Sequence, residues 1–167
     1  MKIAYVSSQK RGEADRLLSE LADELNNNGF ELRGIVKKAS HSPIYQDGCD
    51  MSVRVLPDGA VIKITQNLGV GSEACRLDPS ALAEAVAQVE QSSFENADLF
   101  ILNKFGPEEC AGRGFRSVMG KALEHGVPVL VGVGPASIPQ FQAFADGLAI
   151  SLPDDAVSLL DWCLTRS

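Results

Sequence analysis

Short apolar runs alternate with longer amphipathic stretches along most of this chain. Ile3-Ala4-Tyr5-Val6 is the first run and predicts a buried strand. A polar loop, Ser7 to Glu13, carries Gly12. Leu17, Leu18, Leu21 and Leu25 then repeat at helical spacing, and Gly29 supplies a stop signal. Phe30 to Val36 predicts a second strand, so the chain opens as a βαβ unit. After an irregular stretch from Lys37 to Asp50, two runs flank Pro57-Asp58-Gly59-Ala60. They are Met51 to Leu56 and Val61 to Thr65, and their β-branched alternation around a turn predicts a hairpin.

The second half returns to strand and helix. Gln66 to Arg76 is a loop rich in Gly and Ser. Asp78-Pro79 predicts an N-cap with proline at the first helical position, and Leu82, Val86 and Val89 give that helix its apolar stripe. Ala97 to Leu102 predicts a buried parallel strand. A loop, Asn103 to Gly114, then leads to a helix over Phe115 to Glu124 that stops at Gly126. Val127 to Val133 predicts another strand, followed by a short helix near Phe141 and Phe144. A short strand at Leu148 to Ile150 and a last helix at Val157 to Cys163 complete the pattern. It predicts an α/β fold of three layers. A mostly parallel sheet is flanked by helices, P-loop-NTPase-like or Rossmann-like, with the hairpin as an insertion. A length of 167 residues, with no repeat or linker, suits a single α/β domain over 1–167.

Composition narrows the partners. The net charge is −7, which argues against a nucleic-acid surface and requires any anion site to be a local cluster. No run approaches the length of a membrane span, so no membrane insertion is expected. Met1 to Lys10 turns polar too early for a signal peptide. The four cysteines, Cys49, Cys75, Cys110 and Cys163, include no C-x-x-C pair. Free thiols in a cytoplasmic protein are the simplest reading. His41 and His125 stand far apart and lack zinc-ligand spacing.

Ligands of open α/β sheets bind beyond the carboxyl ends of the strands. Three loops, Ser7–Glu13, Asn103–Gly114 and Gly132–Pro139, share one sheet edge if their strands are parallel. The first sits where a phosphate-binding loop would. That motif needs Gly-Lys-Ser/Thr at its end, and here Gly12 is followed by Glu13. Lys10 and Arg11 precede it, so an anion site and a solvated turn both remain open. The second loop begins with Asn103 and Lys104. A nucleotide hydrolase would want an acid there to hold Mg²⁺. An amide and an ammonium suit direct contact with an anion instead. Lys104 could equally pair with Glu108 or Glu109. Arg113 and Arg116 lie nearby. Gly69, Gly71 and Ser72 could offer backbone N–H groups, and Arg76 a guanidinium fork, unless Arg76 only braces Asp78.

Three motifs, Ile64-Thr65-Gln66-Asn67-Leu68-Gly69, Cys75-Arg76-Leu77-Asp78-Pro79 and Asn103-Lys104-Phe105-Gly106 with Glu109 and Gly112-Arg113-Gly114, occur in that order. Together they resemble an uncharacterised bacterial family whose genes often lie beside molybdate-transport genes. Glu73-Ala74 precede Cys75 where that pattern expects a glycine. More distantly, the layout is similar to the cancer-related nucleoside-triphosphatase family, a P-loop fold. There the central strand ends in Asp-Glu, where this chain has Asn103-Lys104, and the P-loop Lys-Ser/Thr is replaced too. These departures point away from hydrolysis by that family's route.

The residues point to a binding protein for a small anion, and the resemblance implies that the anion is molybdate or tungstate, or a molybdenum-cofactor-related ligand, in molybdenum homeostasis. Its ligand set would be Lys104, Asn103, Arg76, Gly69, Gly71, Ser72, Lys10, Arg11 and Arg113, with no catalytic residue and no metal site. Nucleotide ranks behind oxyanion as the ligand. Two alternatives stand beside this reading. One is a divergent nucleotide-binding hydrolase or transferase. The other is an interaction module for a molybdate transporter or a cofactor-assembly enzyme. Homo-oligomers are compatible with all three.

Overall fold

In the computed structural model, residues 1–38, 51–66 and 76–165 are described, with the backbone alone at Arg76. The elements in chain order are β1 (Ile3–Val6), α1 (Glu13–Asn27), β2 (Leu32–Lys37), β3 (Ser52–Val55), β4 (Val61–Lys63), β5 (Thr65–Gln66), β6 (Arg76–Leu77), α2 (Pro79–Gln91), β7 (Leu99–Phe105), α3 (Pro107–Cys110), α4 (Arg116–Glu124), β8 (Val129–Val133), α5 (Ile138–Phe144), β9 (Ile150–Leu152) and α6 (Ala156–Leu164). A 3₁₀ turn, Pro135–Ser137, leads into α5.

Seven strands form one sheet in the order β4-β3-β2-β7-β8-β1-β9. The five from β2 to β9 in that order are parallel to their neighbours. The hairpin β3–β4 adds two antiparallel strands at one edge. β5 and β6 make a separate small ladder. Among the described residues, no helix is long and apolar enough to cross a membrane.

Apolar cores lie on both faces of the sheet, which makes the three layers. On one face, Leu17, Leu18, Leu21, Ala22 and Leu25 of α1 and Leu159 of α6 cover Ala4, Val6, Ile101 and Leu130. Those α1 positions trace the stripe that a 3.6-residue period places on one side. On the other face, Ala85 and Val89 of α2, Val118 and Met119 of α4, and Phe141 of α5 cover Ile35, Phe100, Leu102 and Val131. Leu82 and Val86, expected as the stripe of α2, are only partly buried there. Three aromatic rings, Phe105, Phe141 and Phe144, cluster with centroids within 6.1 Å of one another and join the end of β7 to α5.

One boundary differs from the expectation in a way that matters for the site. β7 does not stop at Leu102 but runs on through Asn103 and Lys104 to Phe105. Leu102 pairs with Val131 and Phe105 with Val133, so β7 takes three steps where β8 takes two. That is a β-bulge at Asn103-Lys104, at the carboxyl edge of the sheet. Bulges re-aim side chains and concentrate near functional edges. Gly132 of β8 accommodates it: a Cβ there would stand 2.1 Å from the Asn103 carbonyl oxygen.

Candidate anion cleft at the carboxyl edge

Because β1, β7 and β8 are parallel neighbours or next neighbours, their carboxyl ends open on the same side. The chain leaves β1 toward β2 on one side of the sheet. It leaves β8 toward β9 on the other. A crevice results where the direction of winding changes, and such a switch point is the preferred ligand location of open α/β sheets. Here it is a cleft of about 210 Å³. The β1 loop contributes Ser8, Lys10, Arg11 and Gly12, the start of α1 contributes Asp15, the bulge contributes Asn103 and Lys104, and the β8 end contributes Gly132 and Gly134.

Each wall has a local cause. Gly12 is the N-cap of α1 and adopts φ 78°, a left-handed conformation that favours glycine. No side chain caps that helix start. The Ser8 hydroxyl accepts from the Lys10 N–H at 3.2 Å, and the Glu13 N–H closes a turn onto the Lys10 carbonyl at 3.2 Å. The loop therefore turns tightly and leaves Lys10 and Arg11 exposed. Glu13 in the first turn of α1 is held by Arg16, whose guanidinium lowers its carboxyl below the usual carboxylate range.

The bulge supplies the opposite wall. Asn103 is 4% exposed. Its amide nitrogen donates to Asp15 Oδ1 at 3.3 Å, and Lys37 Nζ stands 4.0 Å from Asp15 Oδ2. The acid that lines the cleft is thus engaged by an amide and an ammonium. The sequence pattern does not single out Asp15; its signal is its place in the first turn of the helix that follows the β1 loop. Lys104 is exposed, and among the described residues its side chain makes no ion pair or hydrogen bond. The partners considered for it are occupied elsewhere. Glu108 pairs with Arg113 at 2.8 Å. Glu109 is buried, and its carboxylate accepts from the Gly106 N–H at 2.9 Å and the Phe115 N–H at 3.1 Å. These two bonds tie the start of α3 to the start of α4 and fix the connection behind the bulge.

The structure brings together Lys10, Arg11, Asn103 and Lys104. Arg113 binds Glu108 through two guanidinium nitrogens and lines neither this cleft nor the apolar pocket beside it. Arg116 donates to the Glu109 carbonyl and lies over the Phe144 ring. Gly69, Gly71 and Ser72 lie outside the described residues, as do Cys49, Cys75 and His41. Arg76 opens β6, opposite Gln66. His125 caps the end of α4, where its Nδ1 stands 2.8 Å from the Lys121 carbonyl. At the far edge of the sheet, burial pushes the Cys163 thiol up to about 12.

Comparisons with known proteins agree with this architecture. A family described as "Protein of unknown function (DUF2478)" matches residues 3–162. The molybdenum import ATP-binding protein ModC 2 of Bradyrhizobium diazoefficiens is 31% identical over 153 residues, covering 90% of this chain. The chain spans only 17% of that relative. Among solved structures, THEP1 from the hyperthermophile Aquifex aeolicus aligns with a TM-score of 0.61 at 12% identity, covering 90% of this chain and 88% of the other. A human cancer-related nucleoside triphosphatase aligns with a TM-score of 0.58 at 12% identity, covering 90% and 87%. At that identity the likeness is one of fold.

Proposed function

We propose that this chain, which belongs to the DUF2478 family, binds a small oxyanion of the molybdate or tungstate type, or the anionic group of a molybdenum-cofactor-related ligand. Its place would be the cytoplasm, in molybdenum homeostasis. The observation that carries the reading is the cleft itself. Three strand ends converge there, and Lys10, Arg11 and Lys104 stand around it on a scaffold of nucleoside-triphosphatase type. Glu13 and Ala14 follow Gly12 where a P-loop would place Lys and Ser/Thr, and Asn103-Lys104 occupy the end of the central strand. Such a set favours direct contact with an anion. Lys104 and Arg11 would supply charge-assisted hydrogen bonds, Asn103 would hold the rim through Asp15, and the free start of α1 would favour negative charge. Arg76, Gly69, Gly71 and Ser72 complete the ligand set in this reading. The molybdenum part rests on the likeness to an import ATP-binding protein.

Thermal unfolding of the metal-free protein tests it. The panel is molybdate, tungstate, sulfate, phosphate, ATP and GTP, each with and without Mg²⁺. A ligand at a hundred times its dissociation constant stabilises the native state by about 2.7 kcal/mol. For a chain of this size that raises the midpoint by about 5–10 °C. The expected result is a shift with molybdate or tungstate that does not require Mg²⁺. A shift only with nucleotide and Mg²⁺ would replace this reading by a divergent nucleotide-binding enzyme. Lys104→Ala should then weaken oxyanion binding at least tenfold, on the order of 1.4 kcal/mol for one charge-assisted contact. An unchanged titration would remove Lys104 from the site.

A second reading has its own observation. The homologous stretch in the import ATP-binding protein is a minor part of a much longer chain. A stretch shared with an import ATP-binding protein suits a module that docks on such an ATPase. Co-purification with an import ATP-binding subunit, with no midpoint shift at millimolar anion, would favour it.

A further inference from the structure

On the other side of the bulge from α1 lies a second pocket, of about 260 Å³. Ile35, Ile64, Leu77, Leu82, Leu102 and Phe115 contribute its apolar walls. Asn103 and Lys104 line this pocket and the anion cleft alike. A molecule held at Lys104 therefore has two places to extend: the polar cleft toward the β1 loop, and an apolar recess between the hairpin, α2 and the β7–α4 connection. A tetrahedral metal oxyanion would use only the first. Glu109 also lines the recess; its carboxylate is buried, and each oxygen accepts one backbone N–H, from Gly106 or from Phe115.

We propose that the ligand of this site is an organic oxyanion: a phosphate-type head held at Lys104 in the cleft and a small apolar body seated in the recess beyond the bulge. The assignment rests on the anion-binding reading above and adds the class of molecule to it. Charge complementarity at one end and apolar walls at the other give an amphipathic ligand contacts that an inorganic oxyanion does not make. The volume limits the body. Sites for drug-sized ligands begin at about 300 Å³. This recess is smaller, so it takes one ring or a compact fused pair.

Calorimetric titration with phenyl phosphate, inorganic phosphate, molybdate and phenol, in EDTA, tests the assignment. Phenyl phosphate should bind at least tenfold more tightly than inorganic phosphate, and phenol should bind more weakly than phenyl phosphate. Leu82→Ala should cut the advantage of phenyl phosphate severalfold and leave inorganic phosphate unchanged. Leu82 packs partly against the core, so Leu77→Ser, at a residue 38% exposed, provides a second variant with less cost to packing. Equal binding of the two phosphates overturns this inference and leaves the oxyanion reading standing. The same holds if both leucine variants keep the full advantage. No binding of any anion, with Lys104→Ala indistinguishable from the parent chain, overturns both.

Discussion

At the scale of single residues, the site depends on a glycine that no binding argument would select. Gly132 has no chemistry to offer, yet a Cβ there would meet the Asn103 carbonyl oxygen at 2.1 Å and the Leu18 side chain at 3.1 Å. The first of these is backbone and cannot swing away. Gly132→Ala must therefore push β8 from β7 or flatten the bulge. Overpacking of this kind costs about 1–3 kcal/mol. The expected outcome is a chain that folds with a lower unfolding midpoint and that loses oxyanion affinity, because Asn103 and Lys104 are no longer held at the rim. Chemical denaturation reads the first effect and anion titration the second. A variant as stable as its parent would show that the close approach is relieved at no cost. Gly120, in α4 and away from the cleft, has open space where a Cβ would stand. Its alanine variant is the control, with no loss of stability and little change in anion titration.

At the scale of elements, the helix starts are the most legible part of the sequence. Asp78-Pro79 predicts a cap, and the Asp78 carboxylate does accept from the N–H groups of Ser80 and Ala81 at 3.0 and 3.3 Å. Asp78→Ala should cost about 1 kcal/mol of stability, the usual value for losing such a cap. Equilibrium urea unfolding would reveal it, and an unaltered midpoint would mean that Pro79 alone sets the helix start. The hairpin is legible for a similar reason: alternation around Pro57-Asp58-Gly59 is local information, and β3 and β4 pair as it predicts. The bulge is not legible. Asn103 and Lys104 are polar, and polarity after an apolar run predicts a loop. They remain in the strand because β8 offers Gly132 opposite them, and that pairing spans about thirty residues of sequence that no local pattern connects. The short helix α3 is hidden likewise, since its four residues are held by the Glu109 carboxylate bridging to Phe115. The site is legible only in part. Lys10, Arg11, Asn103 and Lys104 stand out because they follow apolar runs, and Asp15 does not because it lies inside a helix.

At the scale of the whole molecule, strand order makes the cleft and net charge opposes its use. The order places β8 between β1 and β7, which is what brings the β1 loop and the bulge to face each other. An anion entering that cleft approaches a chain of net charge −7. Two electrostatic terms of opposite sign and different range then compete. Contacts with Lys104 and Arg11 act at hydrogen-bond distance. The repulsion comes from carboxylates spread over the surface. Screening separates them, since the Debye length falls from about 30 Å at 0.01 M salt to about 8 Å at 0.15 M. Added salt within that range removes most of the long-range repulsion and weakens the short contacts much less. The affinity for a divalent oxyanion should therefore change by less than roughly threefold across it, measured with chloride as the competing anion. A site built on a broad basic face would instead lose affinity steeply. A drop of tenfold or more would mean that the attraction reaches the anion from cations beyond Lys10, Arg11, Lys104 and Arg76, and that the local cluster is not what holds it.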